Sequence, residues 1–520
     1  MISLHGGSSD PTWEKNPSGF FDLQNIKDPT WEKNPSGFFD LQNIKDPTWE
    51  KNPSGFSGLQ NIEGPTWEKN PSGFYGLQNI EGPMQAEDPN QKFWQRLHEW
   101  LSPLNSNSSG SMAAGKNKPA QETLVMARYG ELFLKSEPVK HHFIGMLLRN
   151  IRKALGASGI TCRYETPRGR ILIYSDEPER TAAIVSRIFG IVDVSICCRT
   201  STETADLSRC ALALASPRLS AGMSFAVRAK RQHKTGLNSQ ELGVEIGSFI
   251  YNNVPGLNVD LDKPDYEIYI EVRDFGALVY DRRIPGPGGL PWGTQGRVLV
   301  LLSSGIDSPV ASWLAMKRGC EITHLYLDAG RWAGSDVTAA AIDNHRKLSL
   351  WCAGNPLPMV IAESEPLFDR MTREKVPPRY RCVICKRFMQ KVAGRLLVQE
   401  GALAVVTGEN LGQVASQTLA NLGVIADAVT VPVLRPLITY DKEETITIAR
   451  RIGTFEAKPG DLACRAVPKM PATAAVLEDV QAFEQKMGIE ELVEYAVTHT
   501  RFVTALDGKI VTETNPVHDE

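Results

Sequence analysis

Hydrophobic and polar positions change period several times along the chain, and each change predicts an element. From Thr123 the apolar runs TLVMARYG and ILIYS read as strands. Between them, HHFIGMLLRNIRKAL (His141 to Leu155) repeats its apolar residues every three or four positions and predicts an amphipathic helix. A second such stretch follows, with RTAAIVSRIFG as helix, DVSICCRT as strand and LSRCALALA as helix. Then come FAVRAKR as strand, SQELGVEIGSFIYNN as helix and YEIYIEVRDFGALVYDRRI as a hairpin. PGPGGLPWGTQG (Pro285 to Gly296) is a Gly/Pro-rich joint. Beyond it, strand and helix alternate regularly, which predicts a parallel, doubly wound sheet and an α/β fold class.

The segment before Thr123 has another character. PTWEKNPSGF-x-x-LQNI begins at Pro11, Pro29, Pro47 and Pro65, a period of 18 residues. That is short for a helical solenoid unit, and two prolines per copy exclude long helices. Residues 1–83 are therefore expected to be disordered tandem repeats, with docking through Trp13, Phe20 and their equivalents as the competing reading. Residues 84–122 read as a polar, flexible linker.

Composition narrows the setting. The chain has 520 residues, 42% hydrophobic and 22% charged, enough for about three domains. It lacks an apolar run of the roughly 18–20 residues that cross a bilayer, and its N-terminus lacks a signal pattern, so a cytosolic protein with no membrane partner is expected. Nine cysteines without a secreted framework suggest metal or redox chemistry for any close pair. Net charge is −3, yet residues 123–296 hold 22 Lys and Arg against 18 Asp and Glu.

The most informative text is RVLVLLSSGIDSPVASWLAMKRG. Arg297 to Leu302 has the apolar continuity of a central parallel strand. Ser303, Ser304, Gly305, Ile306, Asp307 and Ser308 form a small-residue turn. Pro309 suits the first helical position, Ser308 is the expected cap, and Gly319 ends the helix. Such a strand–turn–helix aims backbone N–H groups and a helix dipole at an anion. The GK[ST] ending of γ-phosphate transfer is missing, so attack at an α-phosphate with loss of pyrophosphate is expected.

SSGIDS resembles the SGGxDS loop of PP-loop ATP pyrophosphatases, with Ser304 where glycine is usual. The resemblance widens through RYGELFLKSEPVKHHF, FAVRAKRQHKTGLNSQELG, VVTGENLGQVASQTLANL and PVLRPLITYDKEETITIARRIGT. Together these are similar to tRNA 4-thiouridine synthetases (tRNA sulfurtransferases), specifically the archaeal type without a rhodanese domain. The resemblance implies an N-terminal ferredoxin-like domain (123–185), a THUMP RNA-binding domain (186–290) and a PP-loop adenylation domain (297–470), followed by a helical tail (471–520). It implies ATP and Mg²⁺ as cofactors, tRNA as partner and a homodimer. Matching nucleotide positions are Leu301, Leu302, Ser303, Ser304, Gly305, Ser308, Tyr326, Leu327, Lys386, Gly408 and Gln417, with Asp307 as the loop aspartate.

Cys382 and Cys385 form a CxxC pair, and Cys464 follows in GDLACRAVPK. The resemblance implies that these three either hold a [4Fe–4S] or [3Fe–4S] cluster or relay a persulfide. Soft thiolates suit iron–sulfur chemistry or zinc. The sulfur donor would be sulfide or a persulfide carrier. The other six cysteines lie in apolar segments and read as core. Arg228, Lys230, Arg231 and Lys234 form a basic strip that on its own would be a solvated face. The resemblance assigns it to RNA phosphates. A second cluster, Arg149, Arg152 and Lys153, is left open. The expected reaction is adenylation of uridine at position 8 of tRNA and sulfur insertion. The alternatives are another adenylating enzyme of the PP-loop type, acting on a different base or forming an amide, and a non-catalytic RNA-binding protein.

Overall fold

The computed structural model describes residues 20–24, 38–42, 57–60, 75–78, 122–132, 135–232, 237–455 and 461–514. The chain divides into two units, Met1–Gly115 and Lys116–Glu520.

In the first unit each repeat contributes one short strand: β1 (Phe20–Gln24), β2 (Phe38–Gln42), β3 (Ser57–Gln60) and β4 (Tyr75–Gln78). They pair in order, all parallel, with Phe20 opposite Phe38 and Leu41, Leu59 and Leu77 in one row. A strict period brings equivalent residues into register. The rest of the repeats, and the linker up to residue 121, lie outside the described residues, and with them most of the segment expected to be disordered.

The second unit opens with β5 (Glu122–Tyr129), α1 (Glu137–Ala157), β6 (Arg163–Glu165), β7 (Ile171–Tyr174), α2 (Pro178–Val185) and β8 (Ile191–Thr200). It continues with α3 (Thr204–Ala215), β9 (Ser224–Arg231), α4 (Ser239–Asn253), β10 (Asn258–Val259), β11 (Tyr266–Arg273), β12 (Gly276–Tyr280) and β13 (Ile284–Pro285). All these strands form one sheet, in the order β10-β9-β11-β12-β8-β5-β7-β6 with β13 also on β8. The two front domains that the resemblance implies are thus joined through β8. It pairs with β5 over most of its length and with β12 at Cys198–Thr200.

A cluster of charges sits at this seam. Arg128 of β5 bonds Glu271 of β11 at 3.0 Å and Ser195 of β8 at 3.1 Å, and it also pairs with Asp193. Arg170, Arg273 and the Tyr280 hydroxyl complete the shell around Glu271. Burial alone would raise the Glu271 carboxyl, but Arg170 and Arg128 more than offset it and hold it at about 2.

The remainder forms the second sheet: β14 (Arg297–Leu301), β15 (Glu321–Asp328), β16 (Leu357–Glu363), β17 (Ala404–Val406), β18 (Val433–Leu434), β19 (Thr500–Leu506) and β20 (Lys509–Glu513). Their order is β18-β17-β14-β15-β16-β19-β20, the first five parallel. Helices cover both faces. On one lie α5 (Asp307–Lys317), α6 (Val337–Leu348) and α10 (Lys442–Ile452). On the other lie α7 (Glu365–Arg373), α8 (Arg381–Gln399), α9 (Leu419–Ala426), α11 (Leu477–Met487) and α12 (Ile489–Thr498). This is the expected doubly wound arrangement. Chain order reverses between β14 and its neighbours β15 and β17, the point at which such sheets bind ligands.

Residues 471–520, expected to be a helical tail, hold two helices and then a hairpin that extends the sheet antiparallel beyond β16. The turn is Asp507-Gly508, both at positive φ (46° and 78°), the conformation that a tight two-residue hairpin loop demands. Among the described residues no helix is long and apolar enough to cross a membrane.

Candidate active site

The serine turn lies at the carboxyl end of β14, at the reversal of strand order. Its side chains bind its own backbone. Ser308 Oγ accepts from Ser303 N at 2.8 Å and lies 2.8 Å from Ser303 Oγ. Gly305 N donates to Ser303 Oγ at 3.2 Å. The helix begins at Asp307 with Ile306 as its N-cap, and that cap makes no side-chain bond. Ser308 is therefore a buried brace that closes the loop on itself, not the cap its sequence suggested. Ser304, in the position usual for glycine, does not have positive φ. The turn tolerates a Cβ there.

Gly408, just past β17, meets the loop from the neighbouring strand. A Cβ built on it would lie 2.7 Å from Ser308 N and 2.8 Å from Ser308 Cα. Only glycine lets the β17 end pass under the loop backbone. Asp307 faces two partners that no sequence motif announced: Lys442 Nζ at 2.8 Å and Gln413 Nε2 at 2.9 Å. Lys442 opens α10, whose N-terminus has a capping box of Asp441 and Glu444. Both partners lie more than a hundred positions along the chain from Asp307, so only the fold reveals them.

Lys386, on the first turns of α8, bonds Glu409 at 3.1 Å. Glu409 also takes Arg435 at 2.8 Å and Thr407 at 3.1 Å. Burial would raise this carboxyl. Lys386 and Arg435 outweigh that and keep it below the ordinary range. Gln417 is buried in a short helical turn, and its Oε1 has no partner among the described residues. Leu302, Tyr326 and Leu327 are buried at the ends of β14 and β15, with Leu301 partly so. The Tyr326 hydroxyl lies 3.1 Å from Thr338 Oγ1, and burial pushes it up to about 12.

Cys382 and Cys385 are half-buried at the start of α8, and Cys464 is exposed. Cys464 pairs by one antiparallel bridge with Ala333, beyond the end of β15. Chain segments far apart in sequence are thus gathered in space. Burial raises the Cys382 thiol, and the Cys464 charge adds to the rise. Burial, then Cys464 and Cys382, push Cys385 to about 12. Among the described residues no group of three His, Cys, Asp or Glu side chains could hold one metal ion. The three thiols bear on one another's ionisation.

A groove of about 1030 Å³ lies in the front half, between β9, β11 and α4. Arg228, Lys230, Gln240, Tyr251 and Arg283 line it. Lys230 is exposed. Arg228 bonds Glu267 at 2.9 Å and Leu261 O at 2.6 Å, and Arg231 is half-buried with Nη1 on Leu237 O. Lys234 lies outside the described residues. In the second basic cluster, Lys153 bonds Asn355 at 2.6 Å, and the Arg152 guanidinium lies 5.3 Å from the centre of the Tyr164 ring. Two of its three members thus have partners within the protein.

Three family descriptions match the chain in succession: "ThiI ferredoxin-like domain" over residues 124–195, "THUMP domain" over 201–281 and "Thiamine biosynthesis protein (ThiI)" over 293–489. A "Probable tRNA sulfurtransferase" of Moorella thermoacetica is 38% identical over 387 residues, 74% of this chain and 97% of that protein. Another of that name, from Methanothermobacter thermautotrophicus, is 37% identical over 71% of this chain and 95% of its own length. A solved structure described as a 4-thiouridine synthetase–RNA complex with bound ATP superposes with a TM-score of 0.66 at 33% identity. It covers 74% of this chain and all of that one.

Proposed function

The chain belongs to the tRNA sulfurtransferase family, and from that premise we propose how its site works. The enzyme uses ATP to convert a uridine of tRNA into 4-thiouridine, and position 8 is the target. The observation that carries this reading is the self-braced serine turn at the reversal of strand order, backed by Gly408 and fronted by Asp307.

The first turn of α5 leaves N–H donors without intrahelical acceptors, and these bind the phosphates of ATP. Asp307 would hold Mg²⁺, which spreads phosphate charge, and Lys442 and Gln413 keep its carboxylate oriented. The O4 of uridine attacks the α-phosphorus. An O–P bond forms, the α–β bridge breaks and pyrophosphate leaves. O4 is then part of an AMP leaving group. A sulfur nucleophile attacks C4, AMP departs, and the base carries sulfur. Lys386 pairs with Glu409 and its charge reaches the Cys382 and Cys385 thiols, where it would favour an arriving sulfur anion.

If the donor is sulfide, no redox partner is needed. If it is a persulfide on the exposed Cys464, the adduct Cys464–S–S–C4 is cleaved by a neighbouring thiolate of Cys382. The new Cys382–Cys464 disulfide then requires an external dithiol reductant. The arginine and lysine groove of the front half takes the tRNA backbone.

The test uses the full chain, unmodified tRNA transcript, ATP and sulfide. Pyrophosphate release should require tRNA and match 4-thiouridine formation mole for mole. Pyrophosphate release without thiolated product would overturn the reading. Iron counting on anaerobically purified protein separates the two sulfur routes from a cluster.

A further inference from the structure

A buried polar chain lies beneath the serine turn. Asn344 of α6 is fully buried, and its Nδ2 donates to two carbonyls of the turn, Ser303 O at 3.0 Å and Gly305 O at 3.4 Å. The next residue, His345, is also fully buried, with Nδ1 2.8 Å from Nδ1 of His324 on β15. His324 Nε2 in turn lies 2.8 Å from Ser312 Oγ on α5. The chain ties together the strand after the turn, the helix that leaves it and the helix behind it.

The tautomers follow from one orphan atom. His345 Nε2 has no partner among the described residues. An N–H there would be a buried donor with no acceptor, the dearer form of an unmade hydrogen bond. His345 therefore carries its proton on Nδ1 and donates to His324, whose Nε2–H donates to Ser312. Burial drives both rings well below ordinary histidine values, so both are neutral. Four polar side chains are thus buried together behind the turn.

We infer that Asn344 is a positioning residue for ATP: it draws two carbonyls of the turn inward, so that the turn's donor side faces the nucleotide, and the Ser312–His324–His345 chain fixes where Asn344 stands. This rests on the functional reading above. A backbone carbonyl turned outward would meet the phosphate with like charge. An amide donor at residue 344 prevents that.

The experiment measures ATP affinity, KM for ATP, kcat and tRNA affinity for the full chain, Asn344→Leu and Asn344→Asp. Leucine keeps the volume and removes the donor, whereas aspartate replaces the donor with a charge. Expected is a rise in KM for ATP of about tenfold for leucine, and more for aspartate, with kcat at saturating ATP within about threefold and tRNA affinity unchanged. An Asn344→Leu protein that binds tRNA normally and keeps its KM for ATP overturns the inference. If both variants fail to fold, Ser312→Ala loosens the far end of the chain without touching the turn. A rise of about threefold in KM for ATP supports the inference, and no rise overturns it. Wild-type protein that binds no ATP at all would instead overturn the functional reading.

Discussion

Gly408 and Ser308 depend on each other: one can have no side chain because the backbone of the other occupies the space. Gly408→Ala should cost about 1–3 kcal/mol of stability by overpacking and weaken ATP binding more than tRNA binding. Calorimetric titration with each ligand, beside a denaturation curve, checks this. Unchanged ATP affinity would mean that the turn shifts freely. At this scale the sequence displayed residue types well but partners poorly. The serine turn, Asp307 and Gly408 stood in readable motifs. Ser308 reads as a cap in sequence, because a serine before proline has the same local signature whether it caps a helix or braces a loop. Lys442, Gln413 and Asn344 carry no local signal, because their roles arise where separate loops meet.

At the scale of elements, β8 and the final hairpin depart most from expectation. A boundary at residue 186 separates two domains on paper, yet β8 (Ile191–Thr200) serves both in one sheet. Alternation along a strand says which face is buried but not which strands flank it. The hairpin was more legible than its reading as helix allowed, since Asp507-Gly508 between alternating runs is a strong turn signal. The seam has a pH signature. Glu271 is held at about 2, below the ordinary 4.5. The unfolded chain therefore takes up a proton first as pH falls. The stabilisation is complete above pH 4.5 and is lost progressively from there towards pH 2. Glu271→Gln should destabilise the protein at neutral pH by roughly 3–5 kcal/mol, since it leaves buried arginines unpaired. It should also flatten the acid limb of thermal stability. A variant melting curve with the wild-type pH dependence would refute this.

Across the whole molecule, the front half and the adenylation domain are tied by packing. Phe189 lies 5.6 Å from Trp313 of the loop helix and 6.0 Å from Trp351, ring centre to ring centre. Asn150 bonds Trp292 O at 3.1 Å, and Arg318 pairs with Glu131 at 3.0 Å. If the front half takes the tRNA as proposed, that RNA is held at a fixed position relative to the serine turn. The front half should bind tRNA with strong salt dependence. Lys230→Ala should lower the slope of log affinity against log salt by about 0.7–0.9, the share of one phosphate contact. Arg228→Ala should change it less, because Glu267 already holds that charge. Equal slopes for wild type and Lys230→Ala would move the interface elsewhere.

In the proposed reaction the base oxygen itself becomes the leaving group at the serine turn. tRNA carrying a heavy-oxygen label at O4 of the target uridine tests it in one turnover. The label should appear in AMP, one atom per 4-thiouridine formed, and Asp307→Ala should abolish both products together. Label released to water, with unlabelled AMP, would contradict it.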